Sequence, residues 1–447
     1  EDGTPGASHI AFVVRDDDGG SEILFQTSDT TWQAYNLWGE SSLCGGNSLY
    51  QGPGGQAYKV SYNRPFSTRG CVTEDWLFNA EYPMVRWLER NGYDVSYSTD
   101  VDTDRRGAEI LEHEVFLSVG HDEYWSRAQR ENVETALAAG VHLGFFSGNE
   151  IYWKIRWEDS VDGSATPYRT LVCYKEGTLG EYACGGKCDP LPDVWTGLWR
   201  DGCAYPAADG CEPENALSGQ ISWVGNTSAI TVPAAYGSLP FWRNTDVADL
   251  LPGETTTLGS GTLGYEWDQY QAAYESSYPD DLLWLSSTSL GGLTHHLSIY
   301  EAPSGALVFG AGTVQWSWGL DSHHDRGSAP PDVRMQQATV NLFADMGVQP
   351  ETLQDDLVPG SPPGPDTEPP VVIARSPGVD QIDISISIDI TATFNEPVVD
   401  STLAFELRDA SSTLVPATVS YSSLSRTATL VPDTDLDYST TYLSLIH

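Results

Sequence analysis

The segment 117–126 reads LSVGHDEYWS, in which an apolar run ends in a glycine, a histidine, two carboxylates and two aromatic rings. Side chains alternate along an extended chain, so His121 and Glu123 are expected on one side, with Asp122 and Tyr124 on the other. Imidazole and carboxylate groups transfer protons and bind metals. The sequence therefore predicts a site at His121 and Glu123, with Asp122 and Tyr124 holding the turn.

Two more polar clusters follow apolar runs, TSDTTWQAYNLWG at 27–39 and SGNEIYWK at 147–154. The carboxyl ends of parallel strands meet at one edge of a sheet, so these clusters are expected to converge on the histidine segment. A fourth cluster, GTLGYEWDQ at 261–269, places Glu266 between two aromatic residues. Partial burial there would raise the pKa of Glu266 and suit it to proton transfer.

The elements that must position these residues alternate between strands and helices. Short apolar runs at 22–28, 115–120 and 142–148 predict strands covered on both faces, and helical spacing predicts helices at 75–92, 126–140 and 333–346. The second helix has Ser126 as N-cap with Gln129 three residues later, and Gly140 as C-cap. This order predicts an α/β fold with a parallel-sheet, three-layer core of the glutamine amidotransferase/flavodoxin type. The segment 160–300 is predicted to be a β-rich extension of that core.

A proline- and glycine-rich stretch, LVPGSPPGPDTEPP at 357–370, predicts a linker. The predicted organisation is a catalytic region at 1–350, a linker at 351–370 and an all-β sandwich at 371–447, whose short alternating runs are separated by turn residues. The chain stops in what should be a strand, so we expect this sandwich to be truncated.

The charge of the chain bears on its partners and location. There are 22 Lys and Arg residues against 63 Asp and Glu, which gives a formal net charge of −41. Such a surface repels phosphate backbones and anionic lipids, and no apolar run approaches the length of a membrane span. We therefore expect no nucleic-acid partner and no membrane insertion.

The seven cysteines indicate an oxidising compartment. Four of them crowd into a segment rich in Gly, Pro and Asp: Cys184, Cys188, Cys203 and Cys211. Disulfides are predicted there with the pairing open, and a zinc knuckle is an alternative whose spacing fits poorly. Cys44, in LCGGNS, is either a nucleophile or a disulfide partner of Cys71. We expect a secreted or cell-surface bacterial protein.

Several ordered blocks resemble one known family. The segments TSDTTWQAYN, YKVSYNRPF, VGHDEYWS, FSGNE, LGYEWD, GALVFGAGTVQWSWGL and QQATVNLFADMG are similar to the large-subunit catalytic region of N,N-dimethylformamidase and its relatives. The stretch ATFNEPVV resembles bacterial Ig-like modules. The first resemblance runs from about residue 8 to residue 350 and implies a mononuclear iron, held by two tyrosinates and one glutamate, that hydrolyses an amide.

The resemblance also assigns roles to residues. It makes Tyr35, Tyr62 and Glu123 the iron ligands, His121 and Asn149 orienting groups, and Glu266 the base. Three other tyrosines lie near in sequence and can replace either phenolate: Tyr50, Tyr58 and Tyr124. Three hard anionic oxygens suit Fe(III) and leave positions for water and a carbonyl oxygen.

The expected function is iron-dependent hydrolysis of a C–N amide bond in a small-molecule amide or related substrate. One alternative is a secreted enzyme of the same fold that acts on a polymer or a sugar-linked amide, and another is an extracellular binding or adhesion protein without turnover. The pairs His295-His296 and His323-His324 raise a zinc or heme alternative, but adjacent residues cannot easily aim both rings at one ion. A homo-oligomer and a small partner subunit both remain open.

Overall fold

The computed structural model describes residues 9–17, 19–39, 44–66, 71, 76–176, 187–203, 212–221, 223–360, 370–395, 398–422 and 424–446. The chain divides into two compact units, Glu1–Pro362 and Pro363–His447. This division falls inside the predicted linker, and the predicted boundaries at 350 and 371 stay predictions.

The first unit contains seven α-helices and 17 strands among the described residues. The helices are α1 Asp29–Tyr35, α2 Leu77–Asn91, α3 Asp100–Arg105, α4 Arg127–Ala139, α5 Asn215–Ser218, α6 Ala234–Gly237 and α7 Val333–Asp345. The strands are β1 Ile23–Thr27, β2 Lys59–Ser61, β3 Val95–Thr99, β4 Val115–Gly120, β5 Tyr124–Ser126, β6 His142–Ser147, β7 Trp153–Glu158, β8 Thr170–Val172, β9 Val224–Gly225, β10 Thr231–Pro233, β11 Thr255–Thr257, β12 Glu266–Trp267, β13 Leu283–Trp284, β14 Thr288–Leu290, β15 Leu293–His295, β16 Ser298–Glu301 and β17 Leu307–Gly310.

A mostly parallel sheet of seven strands forms the centre of this unit, in the order β13-β16-β17-β6-β4-β1-β3. The three predicted strands are β1, β4 and β6, which lie side by side and run parallel. All residues of β1 and β4 are buried. Continuous apolar strands of this kind are covered on both faces, so the predicted mixed α/β architecture is confirmed.

Capping residues in the sequence mark the ends of helices α2 and α4. Helix α4 begins with the predicted capping box, in which Ser126 accepts from the backbone of Gln129 and the Gln129 side chain accepts from the Ser126 backbone. Helices α2 and α4 both end at left-handed glycines, Gly92 and Gly140. Side-chain and glycine caps satisfy backbone groups that a helix end would otherwise leave without partners. Helix α7 ends at Asp345, one residue before the predicted end at Met346, which is its C-cap.

The segment 160–300 contains the short strands β8 to β16, and two of them belong to the central sheet. Strands β13 and β16 extend that sheet by antiparallel pairing, and β17 joins β16 to the parallel β6. A smaller sheet, in the order β2-β8-β7-β5, places β5 immediately after Glu123. Periodicity did not indicate this division, because a two-residue strand is too short to show a period.

The second unit is built of antiparallel strands in two sheets, which is consistent with an Ig-like domain. Its strands are β18 Val372–Ser376, β19 Ile390–Phe394, β20 Phe405–Arg408, β21 Leu414–Val415, β22 Ala417–Ser422, β23 Thr427–Pro432 and β24 Leu443–Ile446. One sheet has the order β18-β19-β23-β22 and the other β21-β20-β24. Alternating side chains of β19, β20 and β23 form its core, as period-two alternation predicts.

Some of the disulfide predictions for the cysteines are confirmed, and others fall on residues that the structure does not describe. Cys44 and Cys71 form a disulfide, so the nucleophile alternative for Cys44 is wrong. Cys188 is disulfide-bonded as well, whereas Cys173 is a free, buried thiol. Cys184 and Cys211 lie outside the described residues, and the side chain of Cys203 is not described. Within the described ranges, no helix is both long and apolar enough to cross a membrane.

Candidate functional site

The site lies where β1, β4 and β6 end at one edge of the central sheet. Strand β1 leads into helix α1 and Tyr35, β4 leads into His121 and Glu123, and β6 leads into Asn149. The three strands are hydrogen-bonded neighbours, so their carboxyl ends lie side by side. The structure therefore brings the three predicted clusters together.

Glu123 is fully buried and accepts hydrogen bonds from two tyrosines. The Tyr35 hydroxyl donates to Oε2 over 3.0 Å, and the Tyr50 hydroxyl donates to Oε1 over 2.5 Å. The two phenol rings stack with centroids 4.3 Å apart. The backbone N–H of Leu49 donates to Ala34 in helix α1, which fixes Tyr50 beside Tyr35. Two phenols and one carboxylate thus form a compact set of oxygen atoms.

Tyr62 is not part of this set. Its hydroxyl donates to Asp29 over 3.0 Å, and its ring packs against the edge of Trp157. Of the two tyrosines that the resemblance assigned as ligands, Tyr35 meets Glu123 and Tyr62 does not. Tyr50, which was left open as a replacement, occupies the second position on the carboxylate.

His121, Asn149 and Glu266 form the other half of the site. Nε2 of His121 lies 3.0 Å from Oε2 of Glu266 and 3.5 Å from Oε2 of Glu123. Nδ2 of Asn149 donates to the same Glu266 oxygen over 3.0 Å. The Tyr265 hydroxyl lies 2.9 Å from Nδ1 of His121. The site therefore joins a pair of nitrogen donors to two carboxylates.

Glu266 differs from the sequence prediction in the direction of its pKa. Burial alone would raise the pKa, as expected from the flanking aromatic residues, but His121, Asn149 and Lys175 together lower it below the ordinary value. The prediction of a raised pKa is wrong because donors and positive charge surround the carboxylate. Glu266 is consequently ionised at neutral pH and can accept a proton.

Lys175 is a site residue that the sequence did not indicate. It is buried, and its Nζ lies 3.0 Å from the centroid of the Tyr50 ring and 4.7 Å from that of Trp153. The same ammonium lowers the pKa of Glu123 and of Glu266, although burial still leaves the pKa of Glu123 raised. Lys175 belongs to neither a strand nor a helix, so no periodic pattern pointed to it.

The loop after β6 is shaped for close contacts. Asn149 and Ile151 both have φ of 54°, a left-handed conformation that is uncommon outside glycine. A Cβ at Gly148 would lie 2.8 Å from the carbonyl oxygen of Glu266, so only glycine lets the two backbones approach. Oδ1 of Asn149 is buried and has no hydrogen-bond partner among the residues that the structure describes. This oxygen is available to a donor on a water molecule or a ligand.

Asp122 faces away from Glu123, as alternation predicted, into a group of buried acids beneath the strand ends. Its Oδ2 accepts from Gln26 over 2.7 Å and from Ser118 over 2.8 Å. Burial raises the pKa of Asp122 well above its ordinary value, and burial together with the charge of Asp122 does the same for Asp100. Tyr124 packs its edge against the stacked phenol rings instead of lying apart from the site.

The buried acids make stability depend on pH in a defined direction. A carboxyl with a raised pKa in the folded state stabilises the protein below its unfolded pKa, and this stabilisation is lost as pH rises through the folded pKa. One such group contributes up to about 1.4 kcal/mol per pH unit in that window. We expect Asp100→Asn to weaken the decline of unfolding free energy at rising pH, as measured by denaturant titration across pH 5 to 9. The exposed Asp249→Asn should leave the decline unchanged; equal slopes for both variants would contradict the prediction.

The remaining histidine pairs have structural contacts. His295 lies against Ala311 with a pKa lowered by burial to about 3, and His296 stacks on Trp284. His324 stacks on Trp318, and His323 lies 2.8 Å from Asp321. Among the described residues, no group of three or more His, Cys, Asp or Glu side chains is arranged to hold a metal.

The chain is similar in sequence to known proteins. A family model described as "N,N-dimethylformamidase beta subunit-like, C-terminal" matches residues 1–328, and one for a bacterial Ig-like domain matches residues 366–446. The beta subunit of N,N-dimethylformamidase from Alcaligenes sp. is 32% identical over 222 residues, and that from Paracoccus aminophilus is 30% identical over 216 residues. Each match covers 47% of this chain and 27% of the relative, so the match spans about a quarter of these longer proteins. Since the first family model covers well over half of the chain, the protein belongs to the N,N-dimethylformamidase beta subunit-like family, and an Ig-like domain follows its family region.

Proposed function

We propose that the protein is an iron-dependent hydrolase of C–N amide bonds whose metal ligands are Tyr35, Tyr50 and Glu123. The observation that carries the proposal is the convergence of both phenol oxygens on the two oxygens of one buried carboxylate. The distant similarity to N,N-dimethylformamidase beta subunits supports the reaction class. Tyr50 replaces Tyr62 in the ligand set that the resemblance implied, because Tyr62 contacts Asp29.

The donor set fits ferric iron. Burial, followed by the charges of Glu123 and Glu266, raises the pKa of Tyr50 well above its ordinary value, so its hydroxyl stays protonated unless a strong cation displaces the proton. Two phenolates and one carboxylate carry three negative charges, which balance Fe(III) with hard oxygen donors. Oδ1 of Asn149 has no hydrogen-bond partner in the described part of the chain, which supports the presence of a further polar group in the site.

The side chains around this set have separable tasks. When bound, the iron acts as a Lewis acid on the carbonyl oxygen of the amide. Glu266 is the base, because it is ionised and lies beside two nitrogen donors, His121 Nε2 and Asn149 Nδ2. These donors orient Glu266 and can stabilise negative charge that develops on the substrate oxygen.

The surroundings support further parts of the proposal. The parallel strands at the site edge favour a core of the three-layer glutamine amidotransferase/flavodoxin type. A disulfide between Cys44 and Cys71 and an Ig-like domain favour a secreted or cell-surface location. Such a location admits polymer- or sugar-linked amides as substrates beside small amides, so N,N-dimethylformamide, N-methylformamide and N-acetylglucosamine are the first compounds to assay. A partner subunit or a homo-oligomer stays a prediction.

The proposal is tested by metal analysis and a visible spectrum of purified protein, with Tyr50→Phe compared with Tyr62→Phe. The wild-type protein should contain one iron ion per chain and show the charge-transfer colour of Fe(III)-tyrosinate. Tyr50→Phe should lose most of the iron or shift the band strongly, since it removes a ligand, whereas Tyr62→Phe should keep both. Colourless, metal-free protein after iron-replete preparation would refute the site, and loss of iron only in Tyr62→Phe would return Tyr62 to the ligand set.

A further inference from the structure

Trp223 is an exposed aromatic residue beside the short ladder that carries Glu266. It is 42% exposed, and the strand that follows it, β9, pairs antiparallel with β12. In that ladder Gly225 lies opposite Glu266. Side chains of opposite residues project from the same face of a ladder, and residues two positions apart share a face. Trp223 therefore projects from the face that also presents the Glu266 side chain.

Contacts on two sides fix the indole ring of Trp223. A Cβ on Gly225 would lie 3.0 Å from Cζ3 of Trp223, so the ring packs over the glycine. The indole N–H donates to the hydroxyl of Tyr152. Tyr152 belongs to the loop after β6, which also carries Asn149. The ring is thus held between the ladder and the site loop, next to the proposed base.

Solvent reaches the candidate site at Tyr50 and at Glu266. Tyr50 is 36% exposed, and the side chain of Glu266 is 16% exposed. The side chains of His121 and Glu123 are 3% and 0% exposed. An amide that enters beside Glu266 passes Trp223 before its carbonyl oxygen meets the donors of the site. Trp223 is placed to contact the part of the substrate that the amide group carries.

The groups around the indole ring indicate the chemistry of that part. Asn226 and Thr227 directly follow β9 and are exposed, and Oδ1 of Asn226 accepts from Trp267 Nε1 over 2.9 Å. An aromatic face with hydrogen-bonding side chains beside it fits a ring that has an apolar face and a polar edge, as a pyranose has. The carboxylates of Glu123 and Glu266 and the net charge of −41 disfavour an anionic ligand. A neutral sugar meets both conditions.

We propose that Trp223 is a specificity-determining residue that stacks on the pyranose ring of an N-acylated amino sugar. This inference rests on the proposed function, because it names the substrate class of the same site. Hydrolysis adds one water molecule across the C–N bond of the acylamino group and releases a carboxylic acid and the free amino sugar. The acyl oxygen faces the donors of His121 and Asn149 while the sugar ring lies on the indole.

The first test compares N-acetylglucosamine with N,N-dimethylformamide, which has no ring. Trp223→Ala should lower kcat/KM for the sugar about 10-fold more than kcat/KM for the formamide, the factor expected for one aromatic contact. Trp223→Phe keeps an aromatic ring and should retain most of kcat/KM for the sugar. Leu251→Ala, which removes another exposed apolar side chain, should match the wild-type protein with both substrates. An equal loss for both amides in Trp223→Ala would overturn the inference.

Titration calorimetry of the purified full-length chain tests the substrate class without relying on turnover, because binding heat is released at each injection. The wild-type protein should bind N-acetylglucosamine, with Kd about 10-fold higher in Trp223→Ala. An unchanged Kd in that variant, no sugar binding by the wild-type protein, or binding of N-benzylformamide alone through Trp223 would each overturn the assignment to sugars. Absence of iron, or of hydrolysis of every amide assayed, would instead refute the proposed function.

Discussion

Replacing Glu123 with glutamine is expected to give a colourless protein with background iron and no measurable amide hydrolysis. Glu123 accepts hydrogen bonds from both Tyr35 and Tyr50 and also contacts His121. Among the described contacts, it is the only carboxylate that meets all three residues. Glutamine has nearly the same shape but no charge, and its amide nitrogen would present a donor where two hydroxyls and a metal need an acceptor. Iron analysis, the visible spectrum and an amide hydrolysis assay on the same preparation measure the effect.

Asp122→Asn is the matched control for that variant. Asp122 is the adjacent residue, is equally buried and points to Gln26 and Ser118 on the other side. Gln26 and Ser118 both donate to Oδ2, so the amide oxygen of asparagine can keep both hydrogen bonds. We expect Asp122→Asn to keep its iron and colour. If both variants lost iron equally, the effect would be one of folding and Glu123 would not be identified as a ligand.

Replacing Glu266 with glutamine is expected to retain iron but to lower kcat about 10²- to 10⁴-fold, the range for loss of a general base. Glu266 is ionised, and both His121 Nε2 and Asn149 Nδ2 point at its Oε2. The carbonyl oxygen of glutamine can accept both hydrogen bonds, but it cannot take up a proton near neutral pH. Because Glu266 contacts neither Tyr35 nor Tyr50 in the described bonds, the iron should remain. Steady-state kinetics with iron content measured in parallel distinguish the two effects.

Glu275→Gln provides a comparison for the Glu266 variant. Glu275 also accepts from a tyrosine, Tyr270, but lies in an exposed contact away from the site. Its replacement should leave kcat and KM unchanged. A Glu266→Gln protein with wild-type kcat would show that another group is the base, and one that lost its iron would place Glu266 among the ligands.

The sequence by itself indicated the three strands at the centre of the main sheet, the three longest helices and several residues of the candidate site. Continuous apolar runs marked β1, β4 and β6, and the Ser126 and Gly140 caps marked helix α4, because burial on both faces and capping depend on residues close in the chain. Since parallel strands end at one edge, the convergence of Tyr35, Glu123 and Asn149 followed from the order of elements.

The choice between Tyr50 and Tyr62, the role of Lys175 and the direction of the Glu266 pKa were decided only by the tertiary structure. The backbone bond from Leu49 to Ala34 sets Tyr50 on Glu123, and Tyr62 turns to Asp29. These residues lie in irregular segments or in strands of two or three residues, where no period relates sequence position to direction. The pKa of Glu266 depends on His121, Asn149 and Lys175, which are between 91 and 145 positions away in the chain. The segment LSVGHDEYWS therefore indicated one part of the candidate site, and only tertiary contacts brought the other residues next to it.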